Sequence, residues 1–285
     1  MKLAVLSDIH SNYVALRKCI DHSLGVGVDA FVFLGDYLGE LAYPQRTMRL
    51  LYELQQKYTC YFIKGNREDY WLDYQKNETD LWKEFDSTTG ALYYTYHNLT
   101  QRDFAFFKTL SHKEELRFDG LPPMTICHGS PRKVNEKLLP GDENTRHVME
   151  SNAAPFILCG HTHVQGKIEH SGKVVLNAGS VGVSLRGGGK AQFLLLQGEQ
   201  GMWEYEFIAL EYDVEKVLEE LRTSGLSERA PSWCRVSEKI LRTGAVGHGE
   251  VLVRAMELCR EETGKCVWPD VPEKFWAQAI EEMLG

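Results

Sequence analysis

Lys2-Leu3-Ala4-Val5-Leu6-Ser7-Asp8-Ile9-His10-Ser11-Asn12 is the stretch that decides the fold, because an apolar run stops abruptly at a carboxylate and an imidazole. Leu3 to Leu6 has the short, unbroken apolarity of a strand buried on both faces. Asn12 then stands as an N-cap ahead of Ala15, Leu16, Cys19, Ile20 and Leu24, whose spacing draws one apolar stripe along a helix. A second buried run, Ala30 to Leu34, follows. Strand, helix and strand in that order predict a βαβ unit, and with it an α/β fold built on parallel strands.

Working outward, further strand-like runs fall at Tyr61 to Ile63, Met124 to Cys127, Phe156 to Cys159 and Val174 to Leu176. A helix is expected over roughly Tyr43 to Lys57, and residues from about 70 to 120 read as mostly helical, with Thr100 and Asp103 as a capping box before Phe104 to Leu110. Lys190 to Leu196 and Met202 to Leu210 are rich in strand formers and meet at the turn-prone Gly198-Glu199-Gln200-Gly201, which predicts a hairpin. After Tyr212 the periodicity becomes helical only: Val214, Val217, Leu218 and Leu221, then Phe275, Trp276, Ala279, Ile280 and Met283. The chain therefore divides into a domain over 1–212 and a helical extension over 213–285. Trp233, Trp268 and Trp276 lie in that extension and need apolar cover, either from the domain or from a second subunit in a homo-oligomer.

Composition narrows the function. The 285 residues are 43% apolar and 25% charged, ordinary for a packed protein, so global disorder is excluded. With 32 Lys plus Arg against 40 Asp plus Glu the net charge is -8, which disfavours a nucleic-acid partner. Apolar runs are far shorter than the ~20 residues of a membrane span, and no signal peptide or anchor is expected. The 7 cysteines are widely spaced without a C-x-x-C pair, which fits a reducing cytoplasm.

The chemistry lies where the strands end. Asp8 and His10 follow the first run, Asp36 the second, Asn66 the third, His128 the fourth, and His161 with His163 the fifth. Singly each motif is ordinary; Gly35-Asp36 alone is a turn. In an open α/β sheet, however, ligands gather at the carboxyl ends of strands, so these side chains are predicted to converge on one rim. Oxygen and nitrogen donors in that number exceed the needs of one tetrahedral ion and suit two neighbouring divalent ions sharing a carboxylate, with manganese, iron or zinc fitting a thiolate-free set. Cys127 and Cys159 precede ligand positions but belong to the apolar runs and are read as packing.

The ordered series D-x-H, G-D, G-N, H-G and G-H-x-H resembles the calcineurin-like metallophosphoesterases. Leu6 to Asn12, Gly35-Asp36-Tyr37-Leu38-Gly39 with Pro44, and Asn177-Ala178-Gly179-Ser180-Val181-Gly182 bring it nearer to prokaryotic phosphodiesterases and diadenosine-tetraphosphatase-like members. The resemblance covers roughly residues 1 to 210. It implies a four-layer αββα sandwich, one ion held by Asp8, His10, Asp36 and His163, a second by Asp36, Asn66, His128 and His161, and Asp36 bridging.

Three positions depart from that pattern. Gly65-Asn66-Arg67-Glu68 carries Arg67 where the family commonly has a histidine thought to protonate the leaving group; arginine can stabilise an oxyanion but not donate its proton. Ser11 and Ala178 replace a glycine and a proline and remove no ligand. Asn12, Arg132 and Arg186, along with Arg67, are the candidates for substrate contact, and the remaining histidines (22, 97, 112, 147, 170 and 248) read as surface residues. The activity that the resemblance implies is hydrolysis of small phosphodiesters or nucleotide phosphoanhydrides such as dinucleoside polyphosphates, by attack on phosphorus of a hydroxide bridging the two ions. The alternatives are a serine/threonine-type protein phosphatase and an idle scaffold that uses the same fold for protein contacts.

Overall fold

The computed structural model describes residues 1–77 and 81–285, and the helical expectation over 78–80 lies outside the described residues. Ten strands run in chain order: β1 (Lys2–Leu6), β2 (Ala30–Phe33), β3 (Thr59–Phe62), β4 (Lys113–Leu116), β5 (Met124–Cys127), β6 (Phe156–Cys159), β7 (Gly166–His170), β8 (Lys173–Asn177), β9 (Ala191–Glu199) and β10 (Met202–Leu210). They form two five-stranded mixed sheets, ordered β10-β9-β1-β2-β3 and β4-β5-β6-β8-β7. β1, β2 and β3 are parallel in the first, β5, β6 and β8 in the second, so each sheet sends three carboxyl ends toward one rim.

Strand alternation builds the layers. Leu3 and Val5 of β1 and Ala30 and Val32 of β2 face the second sheet, meeting Met124, Ile126, Leu158 and Leu176. Ala4, Leu6, Phe31 and Phe33 point the other way, onto α1 (Tyr13–Gly25), α2 (Pro44–Gln55), α3 (Asn66–Asn77), α4 (Gly90–His97) and α5 (Gln101–Thr109). α6 (Glu143–Ser151) covers Cys127, Ile157, Cys159 and Val175 on the far side of the second sheet. Helices, sheet, sheet and helices make the four-layer αββα sandwich.

Asn12 caps α1 by accepting from the Ala15 amide at 3.0 Å, and Thr100 with Asp103 forms the capping box of α5. The region around 70 to 120 also contains β4, an edge strand whose Lys113-Glu114-Glu115 is too polar to show as a strand in sequence. β7, the opposite edge of that sheet, alternates half-buried and exposed residues and was equally invisible as an apolar run.

Beyond residue 212 the chain forms α7 (Val214–Thr223), the one-turn α8 (Leu226–Arg229), α9 (Pro231–Thr243), α10 (His248–Thr263) and α11 (Glu273–Leu284). Their apolar faces share a cluster with Leu41, Ala42, Ala91, Tyr94 and Val183, so the helices pack on the sandwich. Trp233 and Trp276 are buried there, while Trp268 stays 43% exposed, contrary to the expectation that all three need cover. Trp276 is fully enclosed and donates its indole N–H to Thr88 Oγ1 at 3.0 Å. Trp276→Ala is expected to lower unfolding stability by about 3–5 kcal/mol, read from the urea midpoint. A loss below about 1 kcal/mol would show that the helices contribute little to the fold.

Candidate metal centre

Each parallel strand hands its polar residue to the rim through a sharply bent loop. Asp8 and His10 leave β1, Asp36 leaves β2, Asn66 opens α3 after β3, His128 follows β5, and His161 and His163 follow β6. Asp8, His10, Asp36, His161 and His163 all adopt φ between 48° and 65°, a left-handed region that costs non-glycine residues of order 1–3 kcal/mol each. The neighbouring loops hold them there: the Asp8 amide donates to Gly35 O and the His10 amide to Asp36 O, both at 3.1 Å. Two glycines make the approach feasible. A Cβ on Gly160 would lie 1.9 Å from Ser7 Oγ and 2.4 Å from Asp8 Oδ2, and one on Gly65 would lie 2.1 Å from Asp36 Oδ1.

Six of the seven side chains meet, and the seventh, His161, packs its ring on that of His128 with centroids 5.0 Å apart. Asp8 Oδ1 lies 3.1 Å from His163 Nε2, 3.6 Å from His10 Nε2 and 3.9 Å from His128 Nε2. Asp36 Oδ2 lies 3.5 Å from His128 Nε2 and 3.8 Å from His10 Nε2. Asn66 Oδ1 is 3.2 Å from His128 Nε2. Backbone carbonyls orient three of the rings: Nδ1 of His128 donates to Leu34 O (2.8 Å), Nδ1 of His163 to Val183 O (3.1 Å), and Nε2 of His161 to Asn135 O (3.1 Å). A carbonyl can only accept, so the opposite nitrogen of each neutral ring keeps its lone pair, which in His128 and His163 faces the carboxylates. Both carboxylates stand between the two groups of rings, so the geometry shares Asp8 as well as Asp36 among the neighbouring donors.

Electrostatics are correspondingly tense. Burial alone would raise the Asp8 carboxyl, but the His163 and His128 charges hold it well below the usual range. Burial disfavours the charged form of His128 and His163, and the two aspartates reverse that and raise both. His161, facing fewer anions, is pushed down to about 4 by burial and by His128.

Some residues the sequence reading passed over support this set. Glu68 is buried and accepts from the amides of Gly65, Asp36 and Tyr37 at 2.8, 2.9 and 3.0 Å, tying the second and third loops together. Burial, then the Asp36 charge, pushes its carboxyl up to about 7. Glu40 is buried and pairs with Arg67 Nη2; burial would raise it, but Arg67 first of all holds it down at about 2. His248 is buried at the start of α10 rather than on the surface, because Trp233 stacks on its ring and Ser237 binds it.

The expected substrate contacts fare unevenly. Arg67 sits at the centre, its amide donating to Asp36 Oδ1 at 2.9 Å. Asn12 is a correction: its oxygen caps α1 and its Nδ2 donates to Gly182 O and Tyr212 Oη, so its amide is spent within the fold. The Arg132 guanidinium binds Glu136 and Asn144, and Arg186 is exposed without a side-chain partner among the described residues. Among the described residues no hydrogen bond or ion pair ties either one to the carboxylates or the rings.

Comparison with known proteins agrees with this geometry. Residues 1–201 match the calcineurin-like phosphoesterase superfamily domain. The uncharacterized protein MJ0912 of Methanocaldococcus jannaschii is 26% identical over 248 residues, 81% of this chain and 94% of that protein. Among solved structures, the hypothetical protein PH1004 of Pyrococcus horikoshii OT3 superposes with a TM-score of 0.71 at 19% identity, over 86% of this chain and all but 1% of its own. A metallophosphoesterase from Sphaerobacter thermophilus superposes with 0.66 at 21%, over 83% of this chain and 100% of its own. Each alignment takes in more of the chain than residues 1–201 and so reaches into the C-terminal helices. The superfamily match, the four-layer sandwich and the rim of carboxylates and imidazoles agree: the chain belongs to the calcineurin-like phosphoesterase superfamily.

Proposed function

We propose that the protein is a dinuclear metal-dependent phosphohydrolase acting on small phosphodiesters or nucleotide phosphoanhydrides. One observation carries this reading: Asp8 Oδ1 is buried with no hydrogen-bond donor, among ring nitrogens whose lone pairs are aimed at it, and His10 Nε2 and His163 Nε2 lie 3.1 Å apart. Acceptors crowded in this way are stable only around a proton or a cation, and a set of carboxylate, imidazole and amide donors fits divalent manganese, iron or zinc. Asp8, His10, Asp36 and His163 would hold one ion, and Asp36, Asn66, His128 and His161 the other. Bound there, the ions would supply an acidified water and Lewis-acid polarisation of a phosphoryl group.

The chain's own groups prepare the rest. Glu68 and the Arg67 amide fix the Asp36 loop, so the shared carboxylate is oriented before substrate arrives. Arg67 spends one nitrogen on Glu40 and keeps further N–H donors for a phosphoryl or leaving oxygen. All seven cysteines are free thiols, which suits the reducing cytoplasm we assign to it. Among the described residues no helix is long and apolar enough to cross a membrane.

The test is metal analysis of the purified protein together with turnover of bis(p-nitrophenyl) phosphate, p-nitrophenyl phosphate and dinucleoside polyphosphates. Two ions per chain with chelator-sensitive hydrolysis is the expected result. A metal-free preparation with full activity would overturn the reading.

A further inference from the structure

The C-terminal helices reach the centre through buried polar groups that lie outside the superfamily's motifs. Glu40, in the loop after β2, points one carboxylate oxygen at Arg67 and at His10 Nδ1, which is 3.7 Å away. Its other oxygen, Oε2, faces His248 Nδ1 at 3.9 Å and has no hydrogen bond, and His10 Nδ1 has none either. His248 is the first residue of α10. It is stacked on Trp233 of α9 with ring centroids 4.1 Å apart, and its Nε2 lies 2.8 Å from Ser237 Oγ. The Ser237 hydroxyl has one proton and two neighbours, Nε2 at 2.8 Å and Trp233 O at 3.1 Å, a carbonyl that already accepts within α9; with that proton on the shorter contact, the ring proton sits on Nδ1, the nitrogen that faces Glu40.

Leaving a buried carboxylate oxygen and a buried ring nitrogen unpaired costs about 1–3 kcal/mol for each. Both gaps exceed a hydrogen bond of about 2.9 Å by about 1 Å or less, and the last torsion of a glutamate is broad enough to close either. We infer that Glu40 is a positioning residue for His10 and that His248, delivered by the C-terminal helices, is what holds Glu40 in place beside Arg67. The inference rests on the proposed metal-dependent reading for its purpose, since a histidine ligand is normally oriented through its outer nitrogen by a carboxylate or a carbonyl. His128, His161 and His163 all use backbone carbonyls in that way; His10 alone among the four faces a side chain, and that side chain is bracketed by a residue of the C-terminal unit.

A second route runs in parallel. The Arg186 amide donates to Gly244 O at 2.8 Å just past α9, the preceding residue, Leu185, donates its amide to His163 O at 2.9 Å, and His163 Nδ1 donates to Val183 O. The helical unit is thus joined to both histidines that flank Asp8, which gives it a role in the centre and not only in the fold.

The experiment measures Mn2+ binding to the full-length chain by calorimetry, with kcat and KM for bis(p-nitrophenyl) phosphate, in wild type, Glu40→Gln, His248→Ala and His248→Asn. Glu40→Gln is expected to weaken one of two Mn2+ sites by about 10- to 100-fold, the usual consequence of removing the outer partner of a histidine ligand. His248→Ala should weaken the same site less and lower kcat more than it raises KM. His248→Asn, whose amide can stand where Nδ1 stood, should recover most of both. Wild-type Mn2+ affinity at both sites in Glu40→Gln and His248→Ala would overturn the inference, whatever their melting temperatures. Should His248→Ala fail to fold, Ser237→Ala, which removes the hydroxyl beside Nε2, takes its place and should weaken the same site, with His248→Asn still the rescue. A wild type that hydrolyses no phosphoester, with Mn2+ affinity still falling in the two variants, would defeat the proposed activity and leave this inference standing.

Discussion

Asp36→Asn is expected to lower kcat/KM for any phosphoester by at least about a thousandfold while the circular dichroism spectrum stays that of wild type. The magnitude follows from a metal centre supplying several kcal/mol of barrier reduction, with each 1.36 kcal/mol worth tenfold. The intact fold follows from the contacts. Asp36 Oδ1 accepts from the Arg67 amide, and an asparagine oxygen placed there accepts equally well. Oδ2 faces the inward nitrogens of His10 and His128, and an amide NH2 in its place brings no negative charge to share between cations. His161→Ala should act alike, since that ring's one hydrogen bond goes to the Asn135 carbonyl of a neighbouring loop. Metal content separates the two ways of failing. Loss of bound ions along with activity supports ligation by Asp36, whereas an Asp36→Asn protein within tenfold of wild type would remove it from the centre altogether.

The rim was legible in sequence because its signal is local. An apolar run that ends in a glycine, carboxylate or histidine marks a buried strand delivering a polar group at its carboxyl end, and the structure brings together every residue found that way. The C-terminal helices were legible for a similar reason, their apolar positions repeating at helical spacing over 214–221 and 275–283. Edge strands left no such mark: Lys113-Glu114-Glu115 in β4 needs charge to stay unpaired on its outer side, so it reads as a surface helix or loop.

The other misses share a different cause. Glu40 follows Asp36-Tyr37-Leu38-Gly39 and His248 stands between two glycines, and nothing in either setting distinguishes a buried residue from an exposed one. Their importance arises from tertiary proximity across 208 positions of sequence, with Trp233 as the platform, and period or motif cannot encode that. Asn12 failed in the opposite direction. It sits beside Asp8 and His10 in the motif, yet a helix N-terminus needs its side chain more than a substrate does. Burial of 1% makes the choice visible only in the structure.

Arg67 sets the expectation for which phosphoesters are cleaved. Its guanidinium is pinned by Glu40, its charged form is favoured by that carboxylate against the pull of burial, and its amide donates to the Asp36 carboxylate at the centre. A group that never gives up its proton cannot protonate a leaving alkoxide, and general acid assistance is typically worth about 100- to 10,000-fold. Substrates whose leaving oxygen is already a weak base should therefore outrun alkyl esters by a margin of that order. Phosphoanhydrides gain further, because a guanidinium can hold the departing phosphate through charge-assisted hydrogen bonds. Arg67→Ala should slow anhydride cleavage, and Arg67→His should improve alkyl phosphoester hydrolysis relative to wild type. Removing Arg67 strands the buried Glu40 charge and will cost stability, so absolute rates are a poor guide. The ratio of rates across a series of leaving-group pKa values is not affected by the fraction of protein folded, and it is the quantity to measure in all three proteins. A steep dependence in wild type that flattens in Arg67→His is the expected pattern. A flat dependence in wild type, unchanged by either substitution, would mean that Arg67 serves Glu40 alone and takes no part at the leaving oxygen.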